Sequence, residues 1–459
     1  MSGPETFLDG RVTLHCGDSR DVLRTMADAS VHSVVCDPPY ALVSISKRFG
    51  KPDAAPAAHG TDGLYARASA GFMGQAWDTG ETAFAAAFWR EVLRVLKPGG
   101  HVAAFASTRT YHRLAVAIED AGFEIRDQLA WMYGSGFPKS HDVSKGIDRL
   151  NGDQRPVVGR ERISNDMRGG ALLDTAHDGL RPAFERDITS AASAASAASA
   201  EWEGYGTALK PAWEPICLGR KPLVGTVAAN VLAHRTGALN IDGCRIAADP
   251  WDASGDSTGG DAVSVYGDKL NNSGRSGSHS LGRWPANIVH DGSDCVRAAF
   301  PAAPGALRAV GPEHGARHSA NVYGDYGPRP EMVPRIDLDP STARFFYTAK
   351  ADADDRIGSN HPTVKPVDLM RWLVRLVTPP GGLVLDPFSG TGTTGEAVFR
   401  EGFRAVLIER EPAYCGDIRR RMSLCLAGRS ERRRVGAAVK AARKPLDLGP
   451  LFAPSEAAE

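Results

Sequence analysis

The sequence predicts an α/β fold, a doubly wound mixed sheet flanked by helices. Three observations predict it: short apolar runs that end in an acid, amphipathic helical stretches between them, and a glycine-rich turn after a buried strand. Val12 to Cys16 and Val31 to Cys36 are the first two runs, leading to Asp18 and Asp37, as parallel strands do where they end at a ligand crevice. Phe88, Val92, Val95 and Leu96 recur at helical spacing, and that helix stops at Lys97-Pro98-Gly99-Gly100. His101 to Ala106 reads as the next strand. Leu114, Ala117, Ile118 and Ala121 mark a second helix closed by Gly122, and Leu129 to Met132 a further strand.

From Gly134 to about Trp202 the chain is polar, and an Ala-Ala-Ser repeat from Ser190 to Ala200 offers no large apolar face. This reads as a flexible or weakly helical insertion, residues 151–203, within a catalytic part spanning 1–223. Glu214 to Lys221 is a strand that rejoins the sheet. Residues 224–343 are dense in Gly, Asn, Ser, Pro and His, which describes a loop-rich subdomain suited to target recognition. Arg245, Asn271, Asn272, Arg275, Arg283, Asn287 and Tyr323 are its candidate base readers, with structural turns the alternative. Trp284, Tyr326, Phe345, Phe346 and Tyr347 either stack on bases or fill gaps.

Regular alternation returns over residues 344–427. Phe345 to Ala349 reads as a strand, and Met370, Leu373, Val374 and Val377 mark a helix ending before Pro379-Pro380-Gly381-Gly382. Leu383 to Asp386 is a buried strand feeding a glycine-rich turn and a helix, and Arg404 to Ile408 is a strand that ends at Glu409. Residues 428–459 form a basic tail that carries Arg429, Arg432, Arg433, Arg434, Lys440, Arg443 and Lys444. It either touches phosphates or is a frayed, solvated terminus.

Lys plus Arg and Asp plus Glu both number 54 among 459 residues, so no global field draws the chain to nucleic acid or membrane; a polyanion must meet a local patch. No run approaches the roughly 18 apolar residues of a spanning helix, and Met1 to Asp9 lacks an export-type start. A cytoplasmic protein with no membrane partner is expected. The seven cysteines are scattered and never in a C-x-x-C pair, so neither a disulfide framework nor a metal site is implied. They are expected as buried filler.

Two constellations carry chemistry. Gly390-Thr391-Gly392-Thr393-Thr394-Gly395 matches G-x-G-x-x-G between a strand and a helix, with Glu409 where an acid meets a ribose. A nicotinamide or flavin site and an ordinary tight turn both fit that pattern. Asp386 discriminates, because a carboxylate before the loop repels a pyrophosphate at the helix N-terminus and suits a cation. S-adenosyl-L-methionine has an ammonium and a sulfonium for the acids and a ribose diol for Glu409. The second constellation is Asp37-Pro38-Pro39-Tyr40, again at a strand end. An exocyclic amine on a nucleobase is a poor nucleophile because its lone pair is delocalised. A carboxylate and a carbonyl that accept its two N–H groups draw the nitrogen toward attacking geometry, and Tyr40 offers a stacking face. The plain alternative is a rigid corner.

Together these motifs resemble the amino-group DNA methyltransferases, which act on adenine N6 or cytosine N4. D-P-P-Y is that family's catalytic motif and D-P-F-x-G-x-G-T its cofactor loop, here Asp386-Pro387-Phe388-Ser389-Gly390-Thr391-Gly392-Thr393. A further element, H-P-T-x-K-P, stands at His361 to Pro366. Catalytic motif before cofactor loop is the β-class order, and Trp213 to Cys217 is similar to phage and prophage members. The resemblance covers roughly residues 10–150 and 344–425 and implies a circularly permuted, seven-stranded mixed sheet with an inserted recognition subdomain.

It also implies roles. Asp37 and the Pro38 carbonyl would hold the target amine, Pro39 would stiffen the turn and Tyr40 would stack on the flipped base. Asp386, Pro387, Phe388, Gly390, Gly392 and Thr393 would form the S-adenosylmethionine pocket, Glu409 would take the ribose and Asp18 the adenine amine. Lys365 would meet the cofactor carboxylate beside His361, unless both belong to a solvated helix start. The implied enzyme methylates adenine N6 in double-stranded DNA, with cytosine N4 the runner-up; homodimer and restriction partner stay open. From other classes come a dinucleotide-dependent oxidoreductase and a silent DNA-binding protein.

Overall fold

The computed structural model describes residues 3–40, 81–136, 140–153, 155, 157–163, 184–189, 196–247, 282–302, 316–317, 326–328, 341–349, 353–361 and 363–442. Asn271, Asn272, Arg275, Tyr323 and Pro362 lie outside them, as do 443–459 and most of the Ala-Ala-Ser repeat.

The strands are β1 (Glu5–Phe7), β2 (Val12–Cys16), β3 (Val31–Cys36), β4 (Leu96–Phe105), β5 (Glu124–Met132), β6 (Val157–Ile163) and β7 (Phe184–Thr189). Then follow β8 (Trp213–Arg220), β9 (Ile288–His290), β10 (Ala316–Arg317), β11 (Tyr326–Pro328), β12 (Tyr347–Thr348), β13 (Leu383–Asp386) and β14 (Arg404–Glu409). The helices are α1 (Ser19–Thr25), α2 (Ala86–Val95), α3 (Tyr111–Asp120), α4 (Val143–Asn151), α5 (Ala197–Glu201) and α6 (Val227–His234). They continue with α7 (Asp294–Ala299), α8 (Val367–Val377), α9 (Thr393–Arg400), α10 (Pro412–Ser423) and α11 (Arg429–Ala442).

Ten strands form one sheet in the order β1-β2-β14-β13-β3-β4-β8-β5-β9-β12. The run from β2 to β5 is the expected seven-stranded unit, parallel except for β8, which lies antiparallel between β4 and β5. The sheet is therefore wider than expected: β1 pairs antiparallel with β2, and β9 and β12 add parallel to the β5 edge. Strands of two or three residues carry too little pattern to be read from sequence. β6 with β7, and β10 with β11, form separate two-stranded sheets.

Helices cover both faces, and strand alternation assigns the cores. On β4, Ala103 and Phe105 join the core under α8, α9 and α10, while Val102 and Ala104 join the one under α1, α2 and α3. α8 is the chief packing element, with Leu369, Met370, Trp372, Leu373 and Val374 essentially inaccessible; each contributes about 1.5 to 3 kcal/mol of burial. Cys36, Cys217, Cys244, Cys415 and Cys425 are buried and unbridged.

Several expectations change. β5 begins at Glu124, earlier than its apolar end suggests, because its first half, Glu-Ile-Arg-Asp-Gln, is largely solvated. α6 escapes notice because its apolar Val227 and Leu232 are exposed; buried Asn230 anchors it, donating to the Pro98 and Thr236 carbonyls. Residues 224–343 are not a separate body throughout: α6 packs on β4, Cys244 enters the core and β9 pairs with β5. Arg245 binds Asp242 and the Gly282 carbonyl, Arg283 reaches the Ala247 carbonyl, and Asn287 donates to Asp127, so each of these three candidate readers also makes a structural contact. The basic tail is a helix over 429–442, with Arg432 buried against Glu396 and Arg433 bonded to Asp354. A buried acid on α9 recruits it, which charge counting along the tail does not reveal.

Candidate active site

β13 leads into its glycine-rich turn and on to β14 on one side, while its neighbour β3 leads toward β4 on the other. The crevice at such a switch point, beyond the carboxyl ends of the strands, is where doubly wound sheets hold ligands. A cavity of about 1150 Å³ lies there, larger than the roughly 300–1,000 Å³ of single-ligand pockets. Every residue nominated from the sequence as catalytic or cofactor-binding lines it except Gly392. Gly392 instead caps α9 at φ 76°, and a Cβ there would meet Ile418 at 3.1 Å. The third glycine, Gly395, lets α9 close on β14: its Cβ would lie 2.5 Å from Leu407.

One end of the cavity is acidic. Asp386 is buried at the end of β13 and accepts from the Phe388 N–H at 3.0 Å. Burial pushes its carboxyl up to about 7, against the hydrogen bonds from Thr394 and Phe388. Glu409 ends β14 and shapes the loop, accepting from the Gly390 N–H at 2.7 Å and the Glu411 N–H at 2.8 Å. Burial raises it to about 7 as well. Neither carboxylate has a basic partner among the described residues. Phe388 is braced by the tilted ring of Phe88, with ring centres 5.1 Å apart. Asp18 caps α1 and pairs with Arg20, whose hydrogen bonds hold its carboxyl below the usual range.

A locked charge network adjoins the acidic end. Lys365 donates to Asp37 Oδ2 at 2.6 Å and to the Tyr40 hydroxyl at 3.2 Å, and lies 3.3 Å from Glu214. The Tyr40 hydroxyl donates to Glu214 at 3.0 Å. Lys365 is 5% exposed; burial lowers its pKa, but Asp37 and Glu214 outweigh burial and the net shift is upward. Lys365 is thus paired with Asp37 and Glu214 inside the cavity wall, because a buried ammonium settles on the nearest buried carboxylates. Lys365 and His361 do not stand at a solvated helix start: both are buried, with the His361 ring edge-on to Tyr414 at 4.6 Å.

Asp37 Oδ1 is buried with no hydrogen-bond partner among the described residues. An oriented carboxylate thus has one oxygen fixed by Lys365 and one unmatched at the cavity wall, an acceptor for a donor group entering it. Glu214 is the site residue missed from the sequence. Its signal was an acid in the first turn of an otherwise apolar strand, Trp-Glu-Pro-Ile-Cys-Leu, where a purely structural strand has no need of a carboxylate.

A family model described as DNA methylase, of the N6/N4 class, matches residues 31–154 and 313–420, half of the chain. The chain belongs to this family of amino-group DNA methyltransferases. The methylase is 22% identical over 307 residues to the Type II methyltransferase M.HindIII of Haemophilus influenzae, covering 66% of this chain and 57% of that protein. It is 37% identical over 68 residues to the Type II methyltransferase M2.DpnII of Streptococcus pneumoniae, covering 15% of this chain and 25% of that one. The methylase thus spans 57% or less of the length of these two curated relatives. Among solved structures, it is similar to the PvuII DNA methyltransferase, described as cytosine-N4-specific, at 12% identity, 95% coverage of both chains and a TM-score of 0.38. No helix among the described residues is long and apolar enough to cross a membrane.

Proposed function

We propose that this methylase transfers a methyl group from S-adenosylmethionine to adenine N6 in double-stranded DNA, on a base turned out of the helix, in the cytoplasm. The observation that carries the reading is the unmatched, buried Oδ1 of Asp37 beside the Pro38 carbonyl, in one cavity with two buried acids that have no cationic partner among the described residues. Asp in the first position of the tetrapeptide is, by resemblance, the form more usual among adenine enzymes.

The residues present fit the cofactor: Asp386 and Glu409 are buried carboxylates without a cation, suited to an ammonium, a sulfonium and a ribose diol. Bound there, S-adenosylmethionine supplies an electrophilic methyl group. Asp37 and the Pro38 carbonyl accept the amine N–H groups and aim its lone pair at the acidic end of the cavity. Lys365 holds Asp37 turned, Glu214 balances the ammonium, and Tyr40, held through its hydroxyl, presents its ring to the base. Turning out the base costs a few kcal/mol, offset by these contacts. Residues 224–343 remain our proposed source of sequence choice.

The test is to express the protein in a host lacking DNA methylation, digest its DNA and identify the nucleosides, then map the modified sequence. N6-methyladenine at one motif is expected. N4-methylcytosine instead would move the target base, and unmodified DNA with a folded protein would overturn the reading.

Two predictions arise here. Lys365→Met should lower kcat by about 10- to 100-fold, because Asp37 loses its orienting partner, while cofactor Kd stays within about twofold. A large rise in Kd with kcat preserved would return Lys365 to the cofactor carboxylate. The second concerns pH. With both acids raised to about 7, protons compete with a cationic ligand below that pH. Cofactor affinity measured by calorimetry should therefore rise through about pH 7 and fall below it, by up to about tenfold per unit for each acid that binds the cation. A flat profile would show that the acids do not face the cation.

A further inference from the structure

The chain from Thr207 to Glu214 forms one wall of the cavity and runs directly into the carboxylate that holds Tyr40. It is firmly tied down. The His141 N–H donates to Thr207 Oγ1 at 2.9 Å, the Thr207 N–H to Ser140 Oγ at 2.9 Å, the Tyr133 N–H to the Ala212 carbonyl at 2.9 Å, and Lys210 to the Gly134 carbonyl at 2.7 Å. Gly136 admits the strap, since a Cβ there would sit 1.7 Å from the Pro211 carbonyl oxygen.

On this fixed strap Leu209 is 92% exposed. A single exposed leucine is ordinary on a protein surface. Leu209 differs in place and in rigidity: it stands at the rim of the cavity that receives the base, on backbone anchored on both sides of it. An apolar side chain of about this size, fixed before the gap opens, suits a gap in a base stack. Proteins that unstack DNA insert Leu, Phe, Ile, Met or Pro in this way.

Resting on the methyltransferase reading above, we infer that Leu209 is the wedge that enters the duplex as the target nucleotide leaves it, its partner being the base stack of double-stranded DNA. It takes the place of the lost stacking and slows return of the base. On this reading its contribution is to opening the duplex and not to the transfer itself.

The test compares wild type, Leu209→Ala and Leu209→Phe on two duplexes carrying the motif mapped in the host. One is fully paired; in the other the target base faces an abasic position and is already unpaired. Leu209→Ala should lower kcat/KM on the paired duplex by about 10- to 100-fold, with activity on the unpaired duplex within about twofold of wild type. Leu209→Phe should retain most activity on both, and cofactor Kd should not change. Full activity of Leu209→Ala on the paired duplex, or an equal loss on both duplexes, overturns the wedge and leaves the methyltransferase reading standing. Absence of transfer by the wild-type protein on either duplex overturns that reading, and the wedge with it.

Discussion

Asp37→Ala is expected to abolish methyl transfer, by at least about 10²- to 10³-fold in kcat, while the protein binds S-adenosylmethionine as before. In our reading the carboxylate is the acceptor that makes a delocalised amine reactive, and among the described residues of the network it alone has a buried oxygen with no hydrogen-bond partner. The substitution also leaves Lys365 with Glu214 as its remaining carboxylate partner, so the ammonium stays paired and the fold should hold. Single-turnover transfer of a labelled methyl group, with calorimetry for the cofactor, separates the two effects. Substantial residual transfer would remove the tetrapeptide from the chemistry. Loss of cofactor binding together with transfer would mean that Asp37 belongs to the cofactor end.

Glu396→Gln is expected to destabilise the protein by about 3 to 5 kcal/mol. Glu396 is fully buried on α9 and accepts from Arg421 at 2.8 Å, from Arg432 at 2.7 Å and from Arg400 at 3.0 Å. Burial alone would raise its pKa, but the three guanidiniums reverse this and the net shift is downward. A neutral amide in its place leaves Arg421, which is 1% exposed, and Arg432 without their charge partner. Arg421 also donates to the Thr391 carbonyl at 2.7 Å, so the damage should reach the cofactor loop. The denaturant midpoint reads the loss. Because the folded pKa is lowered, the stabilisation is present above the ordinary glutamate range and is lost as pH falls below it, so wild type and variant should converge in acid. An unchanged midpoint at neutral pH would show that water or a shifted arginine replaces the carboxylate.

Periodicity made much of this fold legible. α2, α3, α8, β13 and β14 lie where apolar spacing places them, because each buries a stripe or a face, and burial is what periodicity records. What periodicity missed is held by other forces. α6 hangs on the buried amide of Asn230, and the first half of β5 is paired by its backbone while its side chains face water. β9 and β12 are too short to carry a pattern, and α11 docks through arginines that sequence alone assigns to phosphates or to solvent.

The candidate site divides along the same line. By itself the sequence marked out the two motifs we propose as chemical centres, the tetrapeptide Asp37-Pro38-Pro39-Tyr40 and the loop from Asp386 to Gly395, because each is made of residues adjacent in the chain. Tertiary structure decided the rest. Lys365 meets Asp37 across 328 residues, and Tyr40 meets Glu214 across 174, joined only because β3, β8 and the approach to α8 converge at one end of the sheet. A buried charge chooses its partner by distance in a low-dielectric interior, where desolvation must be offset locally. Sequence spacing holds no record of that distance.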